Sequence, residues 1–226
     1  GFLLHIIWNS FLFAVFHQYS FGAGEKEVSI KVHLRGVHSS KISLLGMNNT
    51  RLFKPILEVD GILDGQTATL VVPASQLPGE FVMRFDYREN ESSTPYPSEK
   101  SMIINRQDLE LWVRPQYCNN PDSTWFQPDE MENRVYAEFS KENAFRKEKI
   151  GILQQFLMSY DETESELYRL GIREYEVRRK QFNEWLLSRK IADKDLFVSS
   201  MYSYQYIPEM PWVGSETDRL HSMIRY

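Results

Sequence analysis

One cysteine, Cys118, stands in the whole chain, and that scarcity removes several kinds of chemistry at once. An internal disulfide, a CxxC redox pair and a multi-cysteine zinc site each need a second thiol. The simplest reading of Cys118 is a buried or incidental residue, with an intermolecular or reactive thiol as the alternative. Histidine is also sparse: His5, His17, His33, His38 and His221 fall at no HExxH or paired spacing, so a zinc hydrolase is not expected and no metal site is visible. A GxSxG elbow, a Walker loop and a GxGxxG run ahead of a helix are all missing, which leaves acyl transfer and nucleotide chemistry unsupported. Clustered positive charge is missing too. The 26 Lys and Arg are interspersed among 31 Asp and Glu, for a net charge of -5, and phosphate backbones are bound by concentrated cations. Nucleic acid is not an expected partner, and the sequence names no catalytic residue, no cofactor and no metal site.

The longest gap in charge lies at the N-terminus, where Phe2 to Gly24 contains no Asp, Glu, Lys or Arg and Phe2 to Ile7 and Phe11 to Phe16 are almost wholly apolar. Such a segment addresses a membrane. Its small-residue end, Ser20-Phe21-Gly22-Ala23-Gly24, suits a signal-peptide cleavage site ahead of Glu25-Lys26-Glu27. A retained anchor is the alternative, weakened by His5, Asn9, Ser10, His17 and Gln18 in a stretch that needs about 20 apolar residues to span; a buried element of the fold is the third reading. Gly1 is not an initiator methionine, so a basic leader region is expected upstream, and no lipobox cysteine closes the segment. Residues 1–24 are thus expected to be a signal peptide or membrane anchor of an exported protein of the periplasm or cell envelope, which meets the membrane only through this segment and only if it is uncleaved.

What is abundant is β patterning. With 42% hydrophobic and 14% aromatic residues the chain has material for packed cores. Val28, Ile30, Val32 and Leu34 alternate with Ser29, Lys31 and His33, the two-residue period of a half-buried strand. Further strands are predicted at Ile42 to Leu45, Ile56 to Val59, Thr67 to Val72, Phe81 to Tyr87, Met102 to Asn105 and Leu109 to Val113. Arg35-Gly36, Asp60-Gly61, Asp64-Gly65 and Pro78-Gly79 supply turns, and Asn90 to Lys100 reads as a polar loop. Seven short strands without an intervening helical period predict an antiparallel β-sandwich or open barrel over residues 25–115. Asn48-Asn49-Thr50 and Asn90-Glu91-Ser92 match the glycosylation sequon, a frequent coincidence.

Residues 116–134, with Pro121 and Pro128 among Asn119, Asn120 and Asp122, are expected to be a linker, and 135–226 a mostly α-helical region. The fold class is therefore α+β. Val135, Phe139, Ile150, Leu153, Phe156 and Leu157 recur at helical intervals. Asp161 with Glu164 reads as a capping box opening a second helix to about Lys190. Its predicted apolar stripe is Leu167, Leu170, Tyr175, Phe182 and Trp185, opposite Arg173, Glu174, Arg178, Arg179 and Lys180. Glu164, Glu166 and Glu174 are the nearest approach to acid-base carboxylates, and on such a helix they read as solvated surface. Asp193 or Asp195 is expected to cap a third helix ended by Pro208. Ser215 with Asp218 suggests a fourth, and its unmatched Leu220, Met223 and Ile224 suggest that the natural protein continues. The aromatic run Met-Tyr-Ser-Tyr-Gln-Tyr-Ile-Pro-Glu-Met-Pro-Trp gives the one candidate contact surface, Tyr202, Tyr204, Tyr206 and Trp212. It reads either as a groove for a peptide, sugar or partner domain or as ordinary packing of a short helix.

This order of elements resembles the N-terminal region of the TlpA/ResA-like thiol-disulfide oxidoreductases of the Bacteroidetes cell envelope, in which a leader precedes a small β-domain of unknown function, a helical region and a thioredoxin fold. The likeness lies in Val28 to Gly36, Lys41 to Leu45, the Asp64-Gly65 turn, Gly79-Glu80-Phe81, the charged helix from Tyr168 to Trp185, and Asp195 to Tyr202. In that family the chemistry belongs to a CxxC in the thioredoxin domain, which this chain lacks. The resemblance implies an accessory role without catalysis, its partners a thioredoxin-like domain in cis or envelope protein clients. A self-standing periplasmic or surface module that binds carbohydrate or peptide is the alternative.

Overall fold

The structure, a computed structural model, describes residues 26–46 and 54–213. The expected leader at 1–24, the sequon at Asn48 and the fourth helix from Ser215 lie outside the described residues. Eight strands form two four-stranded sheets. The first has the order β4 (Thr67–Val72), β1 (Val28–Leu34), β7 (Leu109–Val113), β8 (Trp125–Phe126). The second runs β3 (Leu57–Leu63), β2 (Ser39–Gly46), β5 (Gly79–Arg88), β6 (Tyr96–Ile104). They remain separate sheets, not a closed barrel. The alternation in the sequence decides which faces meet: Val28, Ile30, Val32 and Leu34 from β1 share one buried cluster with Ile42 and Leu44 from β2 and Phe81, Met83 and Phe85 from β5. Each such side chain contributes about 1.5–3 kcal/mol by leaving water.

All strand pairs are antiparallel except β1 with β7, which run parallel in register Ile30↔Leu109 to Leu34↔Val113. The second sheet lies between these two strands in the chain and supplies the long crossover that a parallel pair requires. Gly65, at φ 75°, makes the turn from β3 to β4 and so passes the chain from one sheet to the other. Asp60-Gly61 is not the turn its composition suggests. Gly61, at φ 71°, lies inside β3, where the pairing with β2 shifts register between Ser40 and Ile42. It is a β-bulge, which uses the same left-handed freedom of glycine without ending the strand.

Of the stretch 116–134, expected to be a linker, the part up to Gln127 packs on or pairs with the sandwich and the last three residues open the first long helix. Cys118 is buried and its thiol donates to the Glu99 carbonyl at 3.3 Å. Trp125 and Phe126 pair with Trp112 and Leu111. Pro128 ends the ladder because it has no N–H, but Gln127 continues it: its Oε1 accepts from Glu110 N at 2.7 Å and its Nε2 donates to Asp108 O at 2.8 Å.

Two long helices follow, α1 (Glu132–Ser159) and α2 (Glu166–Ala192). Phe139 near the start of α1 stacks on Trp185 near the end of α2, and Phe156 meets Tyr168 at the other end, so the helices are antiparallel. The cap of α2 is Ser165, whose Oγ accepts from Tyr168 N at 3.1 Å, not Asp161. The buried stripe lies one position beyond the expected one at both ends of the helix. Tyr168, Gly171, Tyr175, Phe182 and Leu186 are inside, and Leu167 and Leu170 are half-exposed. Arg179, expected on the solvent face, is buried in a bidentate pair with Glu176. Asp193 is the C-cap of α2, and the expected third helix is the 3-10 helix Phe197–Gln205, without a side-chain cap of its own.

Candidate functional site

Strand β6 is an edge of the second sheet, with backbone groups that need partners. Asn133, at the start of α1, provides them. Its Oδ1 accepts from Ile103 N at 2.7 Å and its Nδ2 donates to Ile103 O at 2.9 Å, so one primary amide takes both polar groups of one strand residue. Both oxygens of the buried Glu130 accept from Asn133 N at 3.0 Å and cap the helix from outside. Burial pushes the Glu130 carboxyl above its usual range, an effect that these hydrogen bonds only partly offset. Next to it, Glu132 accepts from Phe197 N at 2.7 Å and Val198 N at 3.1 Å, which satisfies the free donors at the start of the 3-10 helix. Ile103 itself packs into the helical cluster, not into the sandwich core.

This joint sets α1 over the outer face of the second sheet. Glu80 alternates with the inward-facing Phe81 and pairs across the ladder with Ile103, so it points at the helix. One turn beyond Asn133, the Tyr136 hydroxyl donates to Glu80 Oε1. Burial, helped by that bond, pushes the Tyr136 phenol well above its ordinary value and keeps it neutral. Beyond these two groups lies a cavity of about 180 Å³, closed by Ser140 and Asn143 from α1 and by Met201, Tyr202 and Gln205 from the 3-10 helix.

Of the four rings expected to form a contact surface, only Tyr202 reaches this cavity. It is 1% exposed, stacks on Phe139 at 4.0 Å between ring centres, and donates to Asp193 Oδ2 at 2.7 Å. Trp212 is also buried, at 3%, edge-on to Tyr175, and its carbonyl accepts from the Tyr168 hydroxyl at 2.9 Å. Tyr204 and Tyr206 are 86% and 57% exposed. A single groove of four rings is therefore not formed: two rings belong to the helical core and two to the surface. The reason is the tight 3-10 winding, which sends residues two apart to different sides. The chain after it is held by Asn183, whose amide takes both Ile207 O, at 2.8 Å, and Ile207 N, at 3.1 Å.

The chain matches no family model and no curated protein. Among the described residues, no group of three or more His, Cys, Asp and Glu side chains is placed to hold a metal ion, and no helix is long and apolar enough to cross a membrane. The cavity residues Glu80, Tyr136, Ser140, Asn143 and Gln205 escaped the sequence reading, since they come from three elements and match no motif. Part of a signal was present: Tyr136, Ser140 and Asn143 follow one another at helical spacing beside the apolar Phe139. That is a polar line on a face that should be buried. Chemically, the arrangement can hold a small group between aromatic walls and hydrogen-bond acceptors.

Proposed function

We propose that this chain is a non-catalytic accessory module of an exported thioredoxin-like protein, and that it works through protein contacts made by its helical half. The observation that carries the reading is the distribution of exposed apolar side chains. Val213 and Ile191 are 76% and 73% exposed, and Leu187, Leu167, Leu170, Val177, Tyr204 and Tyr206 accompany them on the same half of the molecule. Among them Leu187 and Ile191 stand one turn apart on one face of α2, and adjacent exposed apolar side chains set among charged residues are characteristic of contact surfaces. The thioredoxin connection rests on the resemblance in element order. Reading the gene beyond the codon for Tyr226 tests it first: a frame containing CxxC supports it and an immediate stop codon removes it. The contact is tested by titrating the labelled chain with the encoded thioredoxin domain. Shifts confined to α2 and the 3-10 helix, weakened in a Leu187→Ser, Ile191→Ser double variant, are expected; an unperturbed spectrum would sink the idea.

A second reading, a self-standing module that binds carbohydrate or peptide, is favoured by one observation on the β half. Thr67, His33, Trp112 and Trp125 occupy one register row across the open face of the first sheet. His33 stacks on Trp112 at 4.8 Å, and Arg35 lies over Trp125 at 4.4 Å. Retardation in glycan-containing gels that is lost in Trp125→Ala, with unchanged thermal melting, would support this reading; equal mobility across a glycan and peptide panel would count against it.

A further inference from the structure

A sheet edge is a row of unpaired backbone groups that another chain can extend, and proteins blunt such edges with charge, proline, bulges, brevity or a covering element. Of the edges of the two sheets, three carry such a device. Strand β3 has Glu58, Asp60 and the bulge at Gly61. Strand β6 contains Pro97, Glu99 and Lys100, and its backbone is met by Asn133 at Ile103 and by Cys118 and Asn119 at the Glu99 carbonyl. Strand β8 is only two residues long. Strand β4 has none of these protections. Its sequence, Thr-Ala-Thr-Leu-Val-Val, is uncharged, holds no proline, and pairs with β1 in unbroken register from Val28↔Val72 to His33↔Thr67.

One hydrogen bond shows which groups of β4 are free. Leu34 N donates to Gln66 O at 3.0 Å. Backbone groups alternate sides along a strand, so Ala68, Leu70 and Val72 also face β1, while Thr67, Thr69 and Val71 turn their N–H and C=O away from the sheet. Among the described residues no backbone hydrogen bond takes these outward groups. The side chains of the same three residues are exposed, and those of Ala68, Leu70 and Val72 are buried. An antiparallel copy of the strand fits this edge with Thr69 on the two-fold axis. Thr67 then faces Val71 of the other copy, Thr69 faces Thr69, and each pair exchanges two main-chain hydrogen bonds, about six in all. Threonine and β-branched pairs are favourable across strands, and a strand without charge sets no like charges opposite each other when it pairs with itself. We propose that two copies of this chain associate through β4, joining the first sheet of each into one continuous sheet. The contact does not rest on the accessory-module reading, and either can fail alone.

The test is analytical ultracentrifugation of the full chain from about 1 μM to about 1 mM, with amide hydrogen exchange measured at both ends of that range. A monomer–dimer equilibrium in the micromolar range is expected, with the amides of Thr69 and Val71 exchanging fast when dilute and protected when concentrated. Val71→Pro removes an outward N–H that the pairing with β1 does not use. It should weaken the dimer by about tenfold or more and leave the melting temperature of the dilute chain unchanged. Thr69→Lys and Thr69→Glu each set like charges across the axis, and each alone should weaken association by about fivefold or more. An equimolar mixture of these two variants should associate at least as tightly as the unaltered chain. A monomer throughout, association that continues past the dimer, no protection at Thr69 and Val71, or a dimer indifferent to all three variants would overturn the proposal. A dimer lost instead in Leu187→Ser, Ile191→Ser would put the contact on α2 and overturn it equally.

Discussion

Replacing Asn133 by alanine removes one side chain and strands three groups. Ile103 N and Ile103 O, buried at the edge of β6, lose their partners, and Glu130 loses the donor that Nδ2 brings to its Oε1 at 3.1 Å. Each buried group left unsatisfied costs about 1–3 kcal/mol, and entry of water lowers the sum, so a total of about 2–5 kcal/mol is expected. Against a typical stability of about 5–15 kcal/mol this is a large fraction. Urea unfolding followed by tryptophan fluorescence and far-ultraviolet circular dichroism measures it, and amide exchange at Ile103 should accelerate beyond that of its neighbours. Asn133→Asp is the sharper variant. It keeps an acceptor for Ile103 N but turns a carboxylate toward the Ile103 carbonyl and toward Glu130. Its folded-state pKa is thereby raised, so stability should be retained in acid, where the carboxylic acid can donate, and lost as pH rises through that pKa. An alanine variant that loses less than about 1 kcal/mol, or an aspartate variant indifferent to pH, would refute the argument that one amide closes this sheet edge.

Three other outcomes follow from the packing. A Cβ built at Gly171 would stand 2.6 Å from Phe156 Cε1, a ring already packed against Tyr160 and Tyr168. Gly171→Ala should therefore lower stability by about 1 kcal/mol or more although alanine is the better helix former, and a rise in melting temperature would contradict it. The raised carboxyl pKa of Glu130 means that the folded state holds its proton above the unfolded value of 4.5. Stability from this group is complete below that value and lost as pH rises through the folded pKa, so Glu130→Gln should flatten the pH dependence in that window; identical profiles would refute the assignment. Cys118, buried in the sandwich, should resist a thiol reagent until urea opens the β half, and immediate stoichiometric labelling of the native protein would show the burial to be wrong.

The sandwich was legible because its signal is local. Each strand buries one face, so the alternation of Val28, Ile30, Val32 and Leu34 already states which side chains meet, and Gly36 and Gly65 mark turns through a backbone conformation that few other residues adopt. Gly61 shows the limit of that logic, since a bulge and a turn call on the same residue. Strand β8 was hidden because two residues between prolines carry no period; its place is decided by Trp112 across the ladder. The helices were legible in extent but not in phase. Asp161 and Ser165 both offer capping chemistry, and only the geometry at Tyr168 N selects between them. Tyr202 and Tyr204 are alike in sequence, and their opposite fates depend on Phe139 and Asp193, residues distant in the chain or on another element.

The two buried clusters are distinct, and what lies between them explains why. The sandwich core takes the inner faces of both sheets, and the helical core takes the helices with Ile103 as its one strand residue. Between them the contacts are directional: Asn133 to the Ile103 backbone, Asn105 to Glu132, Tyr136 to Glu80. Apolar packing alone is non-directional and tolerates sliding. A joint built from a bidentate amide and two carboxylates has one satisfactory geometry and penalises every other with unpaired buried groups. The price of this arrangement is a polar seam that adds little net stability. What it fixes is the position of α1 over the outer face of the second sheet, and with it the small cavity at which Glu80, from the sheet, faces Asn143 and Tyr202, from the helical layer.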